Sequence, residues 1–474
     1  SPGDVLLETV MARYDPLGQL REQWEVGAAS LMIVQEFDGA GRLTVATEPD
    51  TGTRRLDWNG LGDLREIRQM SAGALITKEL DYDDIGRIEE VRTLDGTHQQ
   101  VDEYDYGVAG SEKGKLVGRS RDNDGDGVFD VIEALGYDSY GRLAHHDIEI
   151  EGSPLEVDLH YDAHGRVSEI VYPEVAGARK ALSYAYSPTG YLELDEFDAS
   201  TVLWHLVGMT LDTTTTRKGG VIRTETAYDV SNGRLVSKRS KVGASTVYER
   251  DYGHWADGRI RWTTDHVKST HDLSSYDDLG RLREWWRGPF GGGSGEPVGR
   301  RFGYDDTRSG VLDQVEYLDA GSVVTERVTY ELDDTFPVHA VKEQITETFA
   351  PVSAKVVSYE YDAFGREIQD VGPTVERKTT HYNRFDLPDE MLVDGKWTRI
   401  GYSAAGDHVS KRTTGTTHLY HPGLYELRKD GVSKQHILSL YGGAGLLGRF
   451  VYDSSAPGYQ LELGSHLAFY DSCI

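Results

Sequence analysis

At 474 residues the chain exceeds the usual size of one compact core, so several domains or a repetitive architecture is expected. Hydrophobic residues make up 38%, low for a large globular enzyme, while 54 glycines and 28 tyrosines point to many turns between aromatic strands and away from disorder. Lys plus Arg number 50 against 79 Asp plus Glu, and the formal charge of −29 disfavours phosphate backbones and anionic lipid, so no nucleic-acid partner is expected. The longest apolar stretches, such as HILSLY (436–441), fall far short of the roughly 20 residues of a membrane-spanning helix, so a soluble protein without a membrane span is expected. Cys473 is the only cysteine, which excludes an intrachain disulfide and a thiolate metal cluster. The chain opens at Ser1-Pro2 with neither an initiator Met nor a leader-like segment, which suggests a processed product or a piece of a longer polypeptide.

Along the chain a short motif keeps returning. YDPLGQL begins at Tyr14, FDGAGRL at Phe37, WNGLGDL at Trp58 and YDDIGRI at Tyr82. The Asp suits the first position of a type I turn, and the Gly supplies the positive φ that closes such a turn with a bulge. Flanking segments such as RLTVATE (42–48) carry β-branched residues in partial alternation, so each unit is expected to be a β-hairpin. A hairpin alone cannot bury its apolar face, but hairpins side by side at a period of about 20 to 28 residues can. The head aromatics are expected to form a cross-unit ladder, and the repeated Asp and Arg to serve as turn cap and inter-turn ion pair. An acid-base pair is needed once, and these recur throughout.

Between the fourth and fifth units lies DNDGDGVFDVIE (122–133), which fits D-x-[DN]-x-[DN]-G-x5-E. Asp122, Asp124 and Asp126 take the first three ligand places and Gly127 the sharp turn. Val128 is expected to offer its carbonyl, Asp130 a direct or water-mediated oxygen, and Glu133 the bidentate closing carboxylate. Hard oxygens at these intervals suit calcium. The flanks KGKLVGRSR (113–121) and ALGYDSYGRL (134–143) read as strand and repeat, so a structural clamp is expected in place of a helical sensor.

The motif resumes with YDSYGRL at Tyr137, YDAHGRV at Tyr161, YSPTGYL at Tyr186, YDVSNGRL at Tyr228, YGHWADGRI at Tyr252, YDDLGRL at Tyr276 and YDAFGRE at Tyr361. Weaker echoes start at Tyr304, Tyr330, Tyr382 and Tyr402. His145, His146 and His436 fall in no H-E-x-x-H pattern and are expected to be solvated or hydrogen-bonded. Trp285 and Trp286, ahead of the loop FGGGSGEPVG (290–299), should face opposite sides of a sheet. GAGLLG (443–448) has the G-x-G-x-x-G form, but the strand-like RFVYD follows it, so a hairpin is expected where a dinucleotide site would need a helix. No G-x-S-x-G elbow occurs, and Cys473 lies close to the end of the chain, so no enzyme is expected.

The YDxxGRL units at Phe37, Tyr82, Tyr137, Tyr161 and Tyr276 resemble the YD repeat of the bacterial Rhs and Tc-toxin proteins, also found in teneurins. The resemblance covers about residues 10–410, and YHPGLYELRKDGVSKQHILSLYGGAGLLGRFVYD (420–453) is similar to the segment that precedes the Rhs-associated core. The resemblance implies an all-β fold, a long spiralling sheet of hairpins wrapped into a shell around a toxin or effector polypeptide. It also implies a secreted or cell-surface bacterial protein, with secretion-apparatus or Tc-type subunits among its partners. Residues 1–415 are expected to form the array and 416–474 an end piece that caps the sheet edge. Self-cleavage in relatives depends on a paired DPxG signature, of which this sequence has no convincing copy. The alternatives are an adhesion module that binds a surface receptor or glycan, and an autoproteolytic toxin precursor.

Overall fold

The computed structural model describes residues 9–463 except 27, 72–73, 96–97, 200, 210–211, 218–220, 292–293, 306–309, 333–339, 373–376, 384, 443–444 and 456–458. Cys473 lies outside the described residues. Among them are 39 β-strands and one 3-10 turn, Gly110–Glu112. The fold is all-β and repetitive, with strands pairing antiparallel to their neighbours in sequence.

The repeat explains the pairing. At Asp38, Oδ1 accepts the amides of Ala40 and Arg42 at 2.9 Å each, while the Gly41 amide donates to the Asp38 carbonyl at 3.0 Å. Gly41 has φ +82°, a left-handed conformation that glycine adopts without strain. The register slips just ahead of the head aromatic, between Glu36 and Phe37 and again between His160 and Tyr161. The bulge expected from the glycine is present.

The aromatic ladder differs from the expected one. Tyr161 donates its hydroxyl proton to the Leu143 carbonyl of the preceding unit at 2.6 Å, and Tyr82, Tyr137 and Tyr186 do the same with Leu64, Leu116 and Val167. The guanidinium of the preceding unit lies over the ring, with Arg142 4.3 Å from the Tyr161 centroid and Arg166 4.2 Å from that of Tyr186. Ring therefore meets cation where ring on ring was expected. The Asp–Arg pair is local to one turn at Asp162 and Arg166, whose Nε lies 2.7 Å from Oδ2, while Arg366 also reaches Asp386 of the following turn at 3.0 Å. The bulge brings the two side chains to one side of a single turn, which makes the short-range pair the accessible one.

The chain forms two compact units, each drawn from distant stretches. One comprises 1–104, 120–130 and 300–400, the other 105–119, 131–299 and 401–474. Thr416–His421 forms a hairpin with His408–Thr413, and both lie in the second unit. That unit has an apolar core in which Ile148, Ile150, Leu182, Leu203 and Phe197 meet Val409, Leu419, Leu438, Leu440 and Phe450. Residues after 401 thus lie against 131–209 through buried side chains, a stronger drive than edge capping. Tyr172, fully buried, donates to the Ser439 carbonyl at 2.8 Å, and the Phe197 and Phe450 rings are 4.8 Å apart.

The first unit is held together more by polar groups. Arg121 makes two bonds to Asp102, at 2.6 and 2.7 Å, with both side chains about 5% exposed or less. The same guanidinium lies 3.7 Å from the Phe385 ring, and Lys78 reaches Asp386 at 3.1 Å.

Candidate functional site

The strand Leu116–Arg121 ends where the aspartate loop begins, and Val131–Tyr137 resumes after it. The loop's flanks are strands, as the sequence suggests. It is tied down at both ends: the Asp122 amide donates to the Val101 carbonyl at 3.0 Å, and the Asp130 amide to the Arg121 carbonyl at 2.9 Å. Gly125 lies so close to the Gln99 carbonyl that a Cβ there would collide with it, and its φ is +78°.

Within the loop the aspartates fold the backbone around themselves. Asp122, 2% exposed, accepts the Gly125 amide at 2.6 Å and the Gly127 amide at 2.9 Å. Asp124 accepts from Asp126 at 3.2 Å, Asp126 from Val128 at 2.8 Å, and Asp130 from Asn123 at 2.8 Å. Carboxylate oxygens of Asp122, Asp124 and Asp130 lie within 4.8 Å of one another. Burial raises the pKa of Asp130, and the charges of Asp124, Asp122 and Asp126 push the same way. Three hard oxygens with mutual repulsion form a donor set that fits a divalent cation of the calcium type, which would relieve that repulsion.

The remaining sequence-derived ligands stand apart from this triad. Asp126 is exposed and outside the grouped oxygens, and Val128 is 65% exposed. Glu133 has other partners: Arg119 donates to it twice at 2.7 Å, and His146 Nε2 lies 2.9 Å away. The reason is strand periodicity. In a helical sensor a helix would start near the twelfth loop position, whereas here an extended strand begins at Val131 and places Val131 and Glu133 on one buried face.

That face carries a polar cluster that the motif search misses. Burial opposes the Glu133 charge, but the bonds from His146 and Arg119 outweigh it and hold the pKa below the usual carboxylate range. His421, 3% exposed, has its ring 4.7 Å from that of His146 and its Nε2 3.1 Å from the His146 carbonyl. Burial, reinforced by His146, lowers its pKa to about 4. Only the pairing of 131–150 with 408–421 in space reveals this cluster, since 275 residues separate the two histidines in sequence.

The other sequence candidates are structural in this fold. His145 lies 2.5 Å from Asp158, and His436 accepts or donates at 2.5 Å with the Tyr425 hydroxyl. Trp286 packs on the backbone of Gly299, while Trp285 carries Arg287 5.0 Å from its ring centroid. Ser433–Gly442 and Gly445–Asp453 form an antiparallel hairpin, so GAGLLG leads into a strand and provides no helix for a dinucleotide.

No family model matches the chain. No curated protein matches it either. Among solved structures it is similar to TcdB2-TccC3, with a TM-score of 0.75 and 12% identity over 97% of this chain and 26% of that one. It is also similar to the Tc holotoxin pore of Photorhabdus luminescens, with a TM-score of 0.73 and 11% identity over 96% of this chain and 24% of that one. The chain shares its fold with these Tc-toxin structures. At such identities the likeness is one of fold, and the chain spans about a quarter of the length of the matched chains, 26% in the first case. The repeat supplies the same reading from the residues: turn, bulge and tyrosine tether recur from unit to unit.

Proposed function

We propose that the chain is a non-catalytic segment of a YD-repeat shell that encloses and protects a polypeptide cargo, of toxin or effector type, for secretion or delivery. The observation that carries this reading is the unit-to-unit tether. Tyr82, Tyr161 and Tyr186 are each fastened to the preceding hairpin, which suits a continuous wall of weak elements made stiff by their neighbours. The likeness to Tc-toxin structures supports the same reading and favours Tc-type subunits as partners. Calcium held by Asp122, Asp124 and Asp130 would then be structural, fixing a long turn inside the wall. Limited proteolysis with mass spectrometry on the protein purified from its native host tests the function. A second, protease-resistant polypeptide is the expected result. A bare wall with glycan-array hits would replace the reading with adhesion, and self-cleavage on incubation would replace it with an autoproteolytic precursor.

A further inference from the structure

In the second unit, three neighbouring strands present one row of side chains. Trp262 of Ile260–Asp265 stands directly opposite Leu273 of Thr270–Tyr276, and Leu273 directly opposite Trp286 of Leu282–Pro289. Residues paired in this way point to one side of a sheet. The two indoles therefore share a face and sit two strand spacings, about 10 Å, apart. Leu273 between them is 48% exposed, so the middle of the row is open to solvent.

Both indoles are laid flat by glycine. A Cβ on Gly253, directly opposite Trp262, would collide with that indole, and a Cβ on Gly299 would collide with the ring of Trp286. Covering a glycine accounts for one face of each ring. The other face is left over: both tryptophans are only half-buried, and among the described residues no lysine or arginine lies over either ring. Elsewhere in this unit guanidinium groups do cover indoles, Arg261 at Trp255 and Arg287 at Trp285.

The polar groups along the row are a separate observation. The N–H groups of Trp262 and Trp286 have no acceptor among the described residues, and neither is sealed from solvent as that of Trp204 is. By contrast, Trp58 donates to the Leu43 carbonyl at 2.8 Å and Trp255 to the Ser274 carbonyl at 3.4 Å. The His271 ring is 5.8 Å from that of Trp262. Its Nδ1 lies 2.8 Å from Thr264 Oγ1, and its Nε2 has no partner among the described residues.

We propose that this face binds an extended, neutral β-1,4-linked glycan, with pyranose rings stacked on Trp262 and Trp286 and hydroxyls bonded to the indole N–H groups and to His271 Nε2. A pyranose has a flat C–H face and a rim of hydroxyls, so it suits a flat aromatic surface with polar groups beside it. In an extended β-1,4 chain, sugars one disaccharide apart present the same face, and that repeat matches two strand spacings, about 10 Å. An α-1,4-linked glucan curls and cannot lie on both rings at once. A peptide adding as a strand needs a free sheet edge, whereas Trp262 and Leu273 lie on strands paired on both sides. The chain's formal charge of −29 disfavours an anionic glycan. The site is independent of the shell reading, because a protected polypeptide and a bound glycan are separate readouts.

Calorimetric titration of the intact chain with cellohexaose and with chitohexaose tests the proposal, with maltohexaose as the α-linked control. At least one β-linked probe is expected to bind at submillimolar concentration, and maltohexaose about tenfold more weakly or not at all. Trp286→Ala should weaken binding about tenfold. Because Trp286 also covers Gly299, a second variant guards against loss of the fold. Leu273→Lys alters an exposed side chain, and its ammonium would lie over the indoles and compete with the sugar, again weakening binding about tenfold. Trp255→Ala, which removes an exposed indole outside the row, should leave the affinity unchanged. Binding of cellohexaose alone identifies a glucan site, and binding of chitohexaose alone a site for the acetamido sugar. Absence of binding by both β-linked probes at millimolar concentration, equal binding of maltohexaose, or an affinity unchanged in Leu273→Lys would overturn the proposal.

Discussion

At the scale of single residues, the turn aspartates and one histidine set how the protein responds to acid. Partial burial works against the charge of Asp162, but the Arg166 amide, the Arg166 guanidinium and the His164 amide outweigh it and lower its pKa from 3.8 to about 2. Asp38, Asp83, Asp138 and Asp277 are lowered in the same way. A carboxylate lowered by folding contributes stability above its unfolded pKa, and that contribution disappears as the pH falls through the folded value. Denaturant midpoints should therefore drop between about pH 4 and pH 2, and carboxyl NMR titration should place Asp162 near the bottom of that window. His421 acts earlier. Folding lowers its pKa from 6.5 to about 4, chiefly through burial, so its neutral form is favoured and stability is lost from about pH 6.5 downward. With His146, Glu133 and Arg119 around it, the loss by pH 4 is on the order of 3 kcal/mol. His421→Gln should flatten the stability profile between those limits; an unchanged profile would remove His421 as its source.

The hairpin was the most legible element in the sequence, because turn chemistry is local. Asp for the cap, Gly for the positive φ and a β-branched flank are written side by side, and the structure realises them at Asp38, Asp138 and Asp277 alike. The ladder was less legible, since nothing local tells a tyrosine whether a ring or a guanidinium will cover it. In the aspartate loop the sequence points to Asp122, Asp124 and Asp130, which the structure groups, and also to Asp126, Val128 and Glu133, which it places apart, Glu133 because a motif learned from helical flanks meets a strand. Two predictions belong at this level. Calcium titration of the wild type should show a site that disappears when Asp124→Asn and Asp130→Asn are combined, and binding unaffected by that pair would discard the triad. Tyr172→Phe, which removes only the bond to the Ser439 carbonyl, should cost about 1–3 kcal/mol in chemical denaturation, because a buried acceptor is left without its donor.

The plan of the whole chain was not readable from its repeat. Units of similar sequence occur on both sides of residues 104 and 300, yet they sort into two compact bodies interleaved along the chain. What distinguishes them is side-chain chemistry at a distance: the second body has an aliphatic core, while the first relies on contacts such as Arg121 with Asp102. Residues 401–474 supply one wall of that core, so removing them should expose Ile148, Ile150, Leu182 and Leu203, all buried now. The truncated protein is expected to bind a hydrophobic dye strongly and to aggregate; a soluble, dye-silent product would show that the core closes without them. The direction of the tyrosine tethers has a mechanical consequence. The hydroxyls of Tyr82, Tyr137, Tyr161 and Tyr186 point back to the previous hairpin, so this stretch drawn out from its C-terminal end gives up its tethers one at a time and yields in small successive steps. Pulled crosswise, many tethers bear the load together. A wall built this way is tough against bursting and easy to unravel from one end.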